Sequence, residues 1–350
     1  MRRGVSVEAG REGSCNAMDR TFLPVVPTPE TGTRDENGEG PVSPQVDSSI
    51  ESLAQPSRPA LRYYGGKWRI APWIISHMPN HRAYLEPCMG AASVFAQKRP
   101  VEVETLNDAN CRVTNYFQQL RDNREELLRR IGLTPWAEDE YYLCQGPSDD
   151  PVEDARRFYV TSWQSVHGTG SSRSGWRWMT DPDDRRGLSP AVDWMSVDLD
   201  AFAQRLRRAH IINRDALEVI GRVAEVATCL IYFDPPYTLE RRTRKDGYSA
   251  FEVTEEWHAK AAELLRAHAG PVLVSGYSSR LYEQLYEVHG WQRVDRDFQA
   301  NSGSTRTESL WISPAAQAAL QEEELERVRA VERERQRQAE LWPLLALGGE

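Results

Sequence analysis

Residues 229–238 read CLIYFDPPYT, in which an apolar run leads directly into an acid, two prolines and a tyrosine. A short apolar run without polar alternation is typical of a strand that is buried on both faces. Proline fixes the backbone and has no N–H to donate, so the pair ends the strand. The stretch therefore predicts a buried strand with Asp234 at its carboxyl end.

Strand and helix patterns alternate on both sides of this run. Further strands are predicted at 83–88, 101–107, 209–213 and 271–276, helices at 91–99, 111–122, 216–224, 255–268 and 281–290, and a closing β-hairpin at 291–298 and 307–313. Such alternation predicts an α/β fold with a mostly parallel, doubly wound sheet. Ligands of such sheets bind at the carboxyl ends of the strands.

Three segments depart from this rhythm. Residues 1–58 are rich in Pro, Gly, Ser, Thr and acids, which predicts a disordered leader. Residues 121–207 carry tryptophans and a Ser/Gly-rich turn but no strand–helix repeat, which predicts an inserted recognition lobe of helices and loops. Residues 315–340, within a charged tail at 314–350, predict a solvated helix. The remaining 59–120 and 208–313 are predicted to form the catalytic domain.

Composition narrows the class of protein. The 350 residues carry a net charge of −9, which argues against a non-specific nucleic-acid coat. No apolar run is long enough for a transmembrane helix, and the first residues lack a signal-peptide core. The five cysteines are scattered and predict reduced thiols of a cytoplasmic protein. The histidines show no metal-ligand spacing, so no metal site is predicted.

The turn at 234–237 combines hydrogen-bond acceptors with a flat ring. The Asp234 carboxylate and the carbonyl groups of Pro235 and Pro236 accept hydrogen bonds, and Tyr237 offers a stacking surface. Two acceptors beside a ring suit a planar group that bears an exocyclic amine. The alternative is a proline-stiffened turn in which Asp234 caps the next helix.

Four motifs, in order along residues 61–312, resemble the Dam-like class of DNA adenine-N6 methyltransferases. They are YYGGK (63–67), LEPCMGAASVF (85–95), LNDAN (106–110) and VLVSGYSS (272–279), with DPPY (234–237) as the catalytic motif. The resemblance implies a Rossmann-like methyltransferase fold that uses S-adenosylmethionine (AdoMet), with a seven-stranded sheet ending in an antiparallel hairpin. Two positions depart from the family pattern, Cys88 for an aromatic residue and Ala92 for a glycine.

The resemblance also implies where the cofactor binds. The expected cofactor-binding residues are Tyr63, Tyr64, Gly65, Gly66, Lys67, Glu86, Pro87, Cys88, Gly90, Asp108, Asp215 and Asp234. Asp108 and Asp215 would accept hydrogen bonds from the ribose and the adenine side of AdoMet, and a capping role is the alternative for Asp108. Gly66-Lys67 is not a phosphate loop, because that motif needs a glycine at Leu61 and a hydroxyl at Trp68.

The implied reaction places a flipped adenine of double-stranded DNA at the DPPY turn. Asp234, Pro235, Pro236 and Tyr237 are the expected catalytic residues, with the N6 amine donating to Asp234 and to the Pro235 carbonyl. Cytosine N4 or an RNA base is the alternative acceptor, and an inactive DNA-binding module is the alternative class.

Two basic stretches are predicted to bind DNA, and the one in the insertion is assigned to target recognition. Arg173, Trp176 and Arg177 lie in the Ser/Gly-rich turn of the insertion, and the second stretch holds Arg241, Arg242, Arg244 and Lys245. Arginine can bridge O6 and N7 of guanine in the major groove, and contact with phosphate alone is the alternative for the arginines of the turn. Tryptophans 163 and 194 are expected in the core of the insertion. We expect a monomer that binds duplex DNA and no membrane, and transfer no base preference.

Overall fold

The computed structural model describes residues 55–166, 175–178, 194, 197–236, 253–299 and 305–346. The predicted leader therefore lies outside the described residues, apart from its last four. Among the described residues, no helix has the length and apolar character needed to cross a membrane.

The described strands form a single mixed sheet of seven, in the order β3-β2-β1-β4-β5-β7-β6. They are β1 (Ala83–Glu86), β2 (Val103–Asn107), β3 (Ala209–Ile212), β4 (Cys229–Phe233), β5 (Val272–Gly276), β6 (Gln292–Gln299) and β7 (Thr305–Ile312). β1 to β5 pair in parallel, whereas β7 runs antiparallel to both β5 and β6. The predicted parallel sheet and closing hairpin are confirmed.

The apolar run that predicted the central strand is buried along its whole length. All five residues of β4 are buried, since β1 and β5 flank it and hydrophobic side chains cover both faces of the sheet. The direction of chain progression reverses between β1 and β4. In a doubly wound sheet this is the point where a crevice opens at the carboxyl ends of the strands.

The described helices follow the predicted pattern closely. They are α1 (Ala71–Ile75), α2 (Ser93–Gln97), α3 (Cys111–Asp122), α4 (Arg124–Gly132), α5 (Glu138–Leu143), α6 (Pro151–Gln164), α7 (Leu199–Leu206), α8 (Ala216–Arg222), α9 (Glu255–Ala267), α10 (Arg280–Leu285), a 3₁₀ turn (Glu287–His289) and α11 (Pro314–Ala346). Side-chain caps start several of them. Asp150 accepts from two backbone N–H groups at the start of α6, and Thr254 accepts from Trp257 N in α9.

The helices of the predicted insertion share the hydrophobic core of the sheet domain. α6 packs against α3, with the Tyr116 and Tyr159 rings stacked at 6.0 Å, and α7 adds Phe202 against Phe117 at 6.3 Å. Trp163 and Trp194 are 2% and 9% exposed, which confirms their core role. The boundaries of a recognition lobe at 121–207 stay a prediction.

A buried ion network ties α7 to the sheet. Glu104 on β2 accepts from Lys98 Nζ at 2.7 Å and from both terminal nitrogens of Arg205 on α7. Glu104 is 1% exposed and Arg205 is 3% exposed. A charge buried this deeply is tolerated only when it is paired, so the three side chains hold one another in place.

The structure also tests the predictions of a solvated C-terminal helix and of reduced cysteines. α11 is almost entirely exposed between residues 321 and 338, which confirms the solvated helix. Cys88, Cys144 and Cys229 are free thiols, as predicted. Cys111 is disulfide-bonded, so the prediction of a fully reduced chain is wrong at that position.

Candidate active site

The Gly-Gly-Lys segment forms a tight turn before α1. Gly66 N donates to Tyr63 O at 3.1 Å, and Gly65 adopts a positive φ of 76°. A type II turn requires a positive φ at its third position, which glycine adopts without strain. The turn delivers Lys67, only 6% exposed, into the protein interior.

The loop after β1 packs against this turn. Gly90 has a φ of 47°, and a Cβ atom there would lie 3.3 Å from the Tyr63 ring. The positive φ and the close approach of the Tyr63 ring both explain why residue 90 is a glycine. Ala92 also adopts a left-handed φ, of 49°, at the position where the family pattern has glycine. An alanine in that conformation costs about 1 kcal/mol.

Asn107, at the end of β2, joins three loops at the carboxyl edge of the sheet. Its side-chain amide donates to Pro87 O at 2.7 Å and to Arg214 O at 3.0 Å, and its oxygen accepts from Arg214 N at 2.9 Å. The side chain is fully buried. In the sequence, Asn107 is one residue of the LNDAN motif, and no local pattern indicates that it joins these loops.

Glu86 ends β1 as a buried carboxylic acid. Its Oε1 accepts from Tyr84 OH at 2.6 Å and from Phe95 N at 2.8 Å. Burial raises the pKa of this carboxyl to about 7, against the opposing effects of the two hydrogen bonds and of Lys98. The group therefore titrates near neutral pH, with its carboxyl next to the cavity.

Two further acids end neighbouring strands. Asp108, after β2, accepts from Gly90 N and from Asn110 N, each at 2.9 Å, and burial raises its pKa to about 6. Asp215, after β3, is exposed and caps α8 by accepting from Leu217 N at 2.7 Å. These contacts with backbone N–H groups fit the capping role that is the alternative for Asp108.

Asp234, after β4, sits in a charged cluster. Its Oδ1 lies 2.9 Å from Lys67 Nζ and accepts from Ser275 Oγ at 2.8 Å. Lys67 Nζ also lies 3.3 Å from Glu308 Oε1 on β7. The Asp234 side chain is 20% exposed, toward the cavity. Ser275 and Glu308 were not predicted, because nothing in the local pattern of β5 or β7 points to the loop after β4.

These groups meet around a cavity of about 280 Å³. Every predicted cofactor-binding residue lines it: Tyr63, Tyr64, Gly65, Gly66, Lys67, Glu86, Pro87, Cys88, Gly90, Asp108, Asp215 and Asp234. Pro235 and Pro236 line it as well, whereas Tyr237 lies outside the described residues. Trp257, on α9, also lines the cavity, although the sequence predicted only that it belongs to a helix.

The chemistry of this lining favours a cationic ligand without phosphates. Four acids face the cavity, and the lysine among the lining residues is already paired with Asp234 and Glu308. Among the described residues, no group of three or more His, Cys, Asp or Glu side chains is arranged to hold a metal.

Two of the predicted DNA contacts, Trp176 and Arg177, are described, and neither lines the cavity. Residues 176–178 run along the end of α6, where Arg177 N donates to Gln164 O at 2.7 Å. The rings of Trp176 and Trp178 stack at 6.5 Å, and Trp178 is 66% exposed. The remaining predicted contacts, Arg173, Arg241, Arg242, Arg244 and Lys245, lie outside the described residues.

Comparison with known proteins places these features in a family. The family model described as D12 class N6 adenine-specific DNA methyltransferase matches residues 63–166 and 193–299. The chain is 32% identical over 258 residues to the type II methyltransferase M1.LlaDCHI of Lactococcus lactis subsp. cremoris, covering 68% of this chain and 87% of that protein. It is 23% identical over 267 residues to the DNA adenine methylase of Salmonella typhi, covering 71% and 92%.

Proposed function

This chain belongs to the D12 class of N6 adenine-specific DNA methyltransferases, and we propose that its cavity binds AdoMet beside a flipped adenine of duplex DNA. The enzyme methylates adenine in DNA at specific sites. The observation that carries the proposal is the convergence of all twelve predicted cofactor-binding residues on one cavity, with Asp234 at its edge.

The cavity matches AdoMet in charge and in the absence of phosphate. When bound, AdoMet supplies an activated methyl group on a sulfonium. Glu86 supplies a carboxylate for its ammonium, Asp108 for its ribose hydroxyl groups and Asp215 for the amine of its adenine. Tyr63 and Tyr64 offer ring faces that attract a cation.

Asp234 and the two prolines are the groups we assign to the target base. The N6 amine of adenine donates one hydrogen to the Asp234 carboxylate and the other to the Pro235 carbonyl. Such contacts orient the nitrogen lone pair toward the methyl group, so that the protein contributes mainly positioning. Tyr237 completes the proposed site as the stacking surface for the flipped ring.

The surface at the end of α6 is our candidate for target recognition. The stacked Trp176–Trp178 pair presents an aromatic face, which can bind unstacked bases, and Arg177 separates the two in the sequence. Arg173, Arg241, Arg242, Arg244 and Lys245 remain the proposed cationic contacts with duplex DNA. The chain is proposed to act as a monomer.

An isosteric substitution tests the role of Asp234. Asp234→Asn keeps the shape of the side chain but removes its charge, and we expect methyl transfer to fall by about 10²-fold or more. AdoMet affinity should stay within about threefold, because the other eleven predicted cofactor-binding residues are unchanged and the main role assigned to Asp234 is contact with the base. Asp122→Asn, an exposed acid at the end of α3, is the control.

The assay is incubation with labelled AdoMet and duplex DNA, followed by digestion to nucleosides. Label in N6-methyldeoxyadenosine is expected, and its loss in Asp234→Asn with AdoMet binding retained supports the assignment. Label in N4-methylcytosine, or transfer to RNA, would contradict the proposed acceptor. Wild-type turnover by Asp234→Asn would refute the role of this residue.

A further inference from the structure

Glu308 is a buried acid on β7 that the reaction described above does not use. It is 2% exposed, next to Ser309, which pairs with Gly276 at the end of β5. Removing a carboxylate from water is costly unless a cation or hydrogen-bond donors compensate. Lys67, whose Nζ lies 3.3 Å from Glu308 Oε1, supplies this compensation.

Lys67 is held from three directions. Its Nζ lies 2.9 Å from Asp234 Oδ1 and 3.3 Å from Glu308 Oε1, and it donates to Gly65 O at 3.0 Å. An ammonium group has three N–H donors and can therefore serve several acceptors at once. One cation is thus shared between two carboxylates that come from distant segments of the chain.

The carboxylate of Asp234 is fixed by the same network. Lys67 and Ser275 both contact Oδ1, and Ser275 Oγ in turn lies 3.0 Å from Tyr232 OH. Ser275 and Tyr232 are buried on β5 and β4, two neighbouring central strands. Their contacts fix the rotation of the Asp234 side chain from the rigid part of the fold.

We propose that Glu308 is a positioning residue for methyl transfer and acts on Asp234 through Lys67. Because Glu308 takes part of the ammonium charge, Asp234 is not neutralised by a one-to-one ion pair and keeps its strength as an acceptor for the amine. Without Glu308, Asp234 takes a larger share of the Lys67 charge, and that acceptor is weakened. The inference rests on the proposed role of Asp234.

A double-mutant cycle tests this coupling. Glu308→Gln should lower the single-turnover rate of methyl transfer by about tenfold, in the range for residues of one ion-pair network. The dissociation constants for AdoMet and for duplex DNA should stay within about threefold. In a Lys67→Met background the same substitution should cause no further loss, or restore rate, since Glu308 then lies near Asp234 with no cation between them.

Two variants serve as controls. Glu104→Gln neutralises another buried, ion-paired acid of the sheet that does not line the cavity, and it should reduce stability without changing the single-turnover rate of the folded enzyme. Glu308→Asp keeps the charge but withdraws it by one methylene. Its single-turnover rate should lie between those of wild type and Glu308→Gln. If the glutamine variant does not fold, a reduced rate in Glu308→Asp still tests the inference.

The outcomes separate this inference from the proposed function. Equal slowing by Glu308→Gln in both backgrounds would show a merely structural role and overturn the inference. Wild-type rates for both Glu308 variants, with Asp234→Asn inactive, would overturn the inference alone. Wild-type turnover by Asp234→Asn would instead overturn the proposed function itself.

Discussion

Replacing Glu86 with glutamine should stabilise the cofactor-free protein at alkaline pH. Burial raises the pKa of Glu86 to about 7 in the folded protein, from an ordinary 4.5. At about 1.36 kcal/mol per pKa unit, keeping the buried carboxylate ionised at pH 8 costs about 3 kcal/mol of folding free energy. The introduced glutamine would carry no charge and would still present an oxygen to Tyr84 and to Phe95 N.

The sign of the pH dependence follows from the direction of the pKa change. The folded state holds the Glu86 proton more tightly than the unfolded state does. Its contribution to stability is therefore complete below about pH 4.5 and is lost as the pH rises to about 7. Glu86→Gln should match wild type near pH 4.5 and exceed it by up to about 3 kcal/mol at pH 8.

Urea unfolding without cofactor, repeated between pH 4.5 and pH 8, measures this difference. Glu102→Gln is the control, because it neutralises a half-exposed acid that pairs with Arg82 on the surface. That control should change the free energy of unfolding by less than about 0.5 kcal/mol at every pH. Parallel pH profiles for wild type and Glu86→Gln would refute the burial argument.

Cofactor binding should respond in the opposite sense. If Glu86 pairs with the ammonium of AdoMet, the wild-type affinity should increase as the pH rises through 7 and the carboxyl ionises. Glu86→Gln should bind more weakly at pH 8 and show little change with pH. Calorimetric titration with AdoMet measures both, and equal affinities at pH 8 would remove Glu86 from the proposed cofactor contacts.

Three further substitutions test individual parts of the site. Gly90→Ala places a methyl group against the Tyr63 ring at a positive φ, so AdoMet affinity in calorimetry and stability in thermal melting should both fall, the latter by about 1–2 kcal/mol. Asn107→Ala removes buried hydrogen bonds to two loops, and urea unfolding should show a loss of about 2–4 kcal/mol. Trp178→Ala should weaken duplex binding about tenfold in fluorescence anisotropy. It should leave AdoMet affinity and unfolding unchanged, because the side chain is 66% exposed.

Much of the fold followed from local patterns. A continuous apolar run marked β4 as buried on both faces, and alternating helical and extended patterns gave the remaining strands within one to two residues. The rule that ligands lie at the carboxyl ends of parallel strands, together with the resemblance to the methyltransferase family, then assigned Glu86, Asp108, Asp215 and Asp234 to one edge of the sheet. The spacing of hydrophobic residues along the chain encodes the strands and helices, so a single sequence suffices to predict them.

The residues that support the site were decided by tertiary structure. Asn107 and Ser275 lie in recognised motifs that do not indicate their contacts, and Glu308 lies in none of them. The packing of α6 and α7 into the main core was likewise not predictable from residues 121–207. Periodicity shows which face of an element is buried, but not which side chains meet across it. Lys67 contacts Asp234 and Glu308 because strand order and register bring the loop after β4 close to β7, and the turn at 63–66 packs against that edge of the sheet.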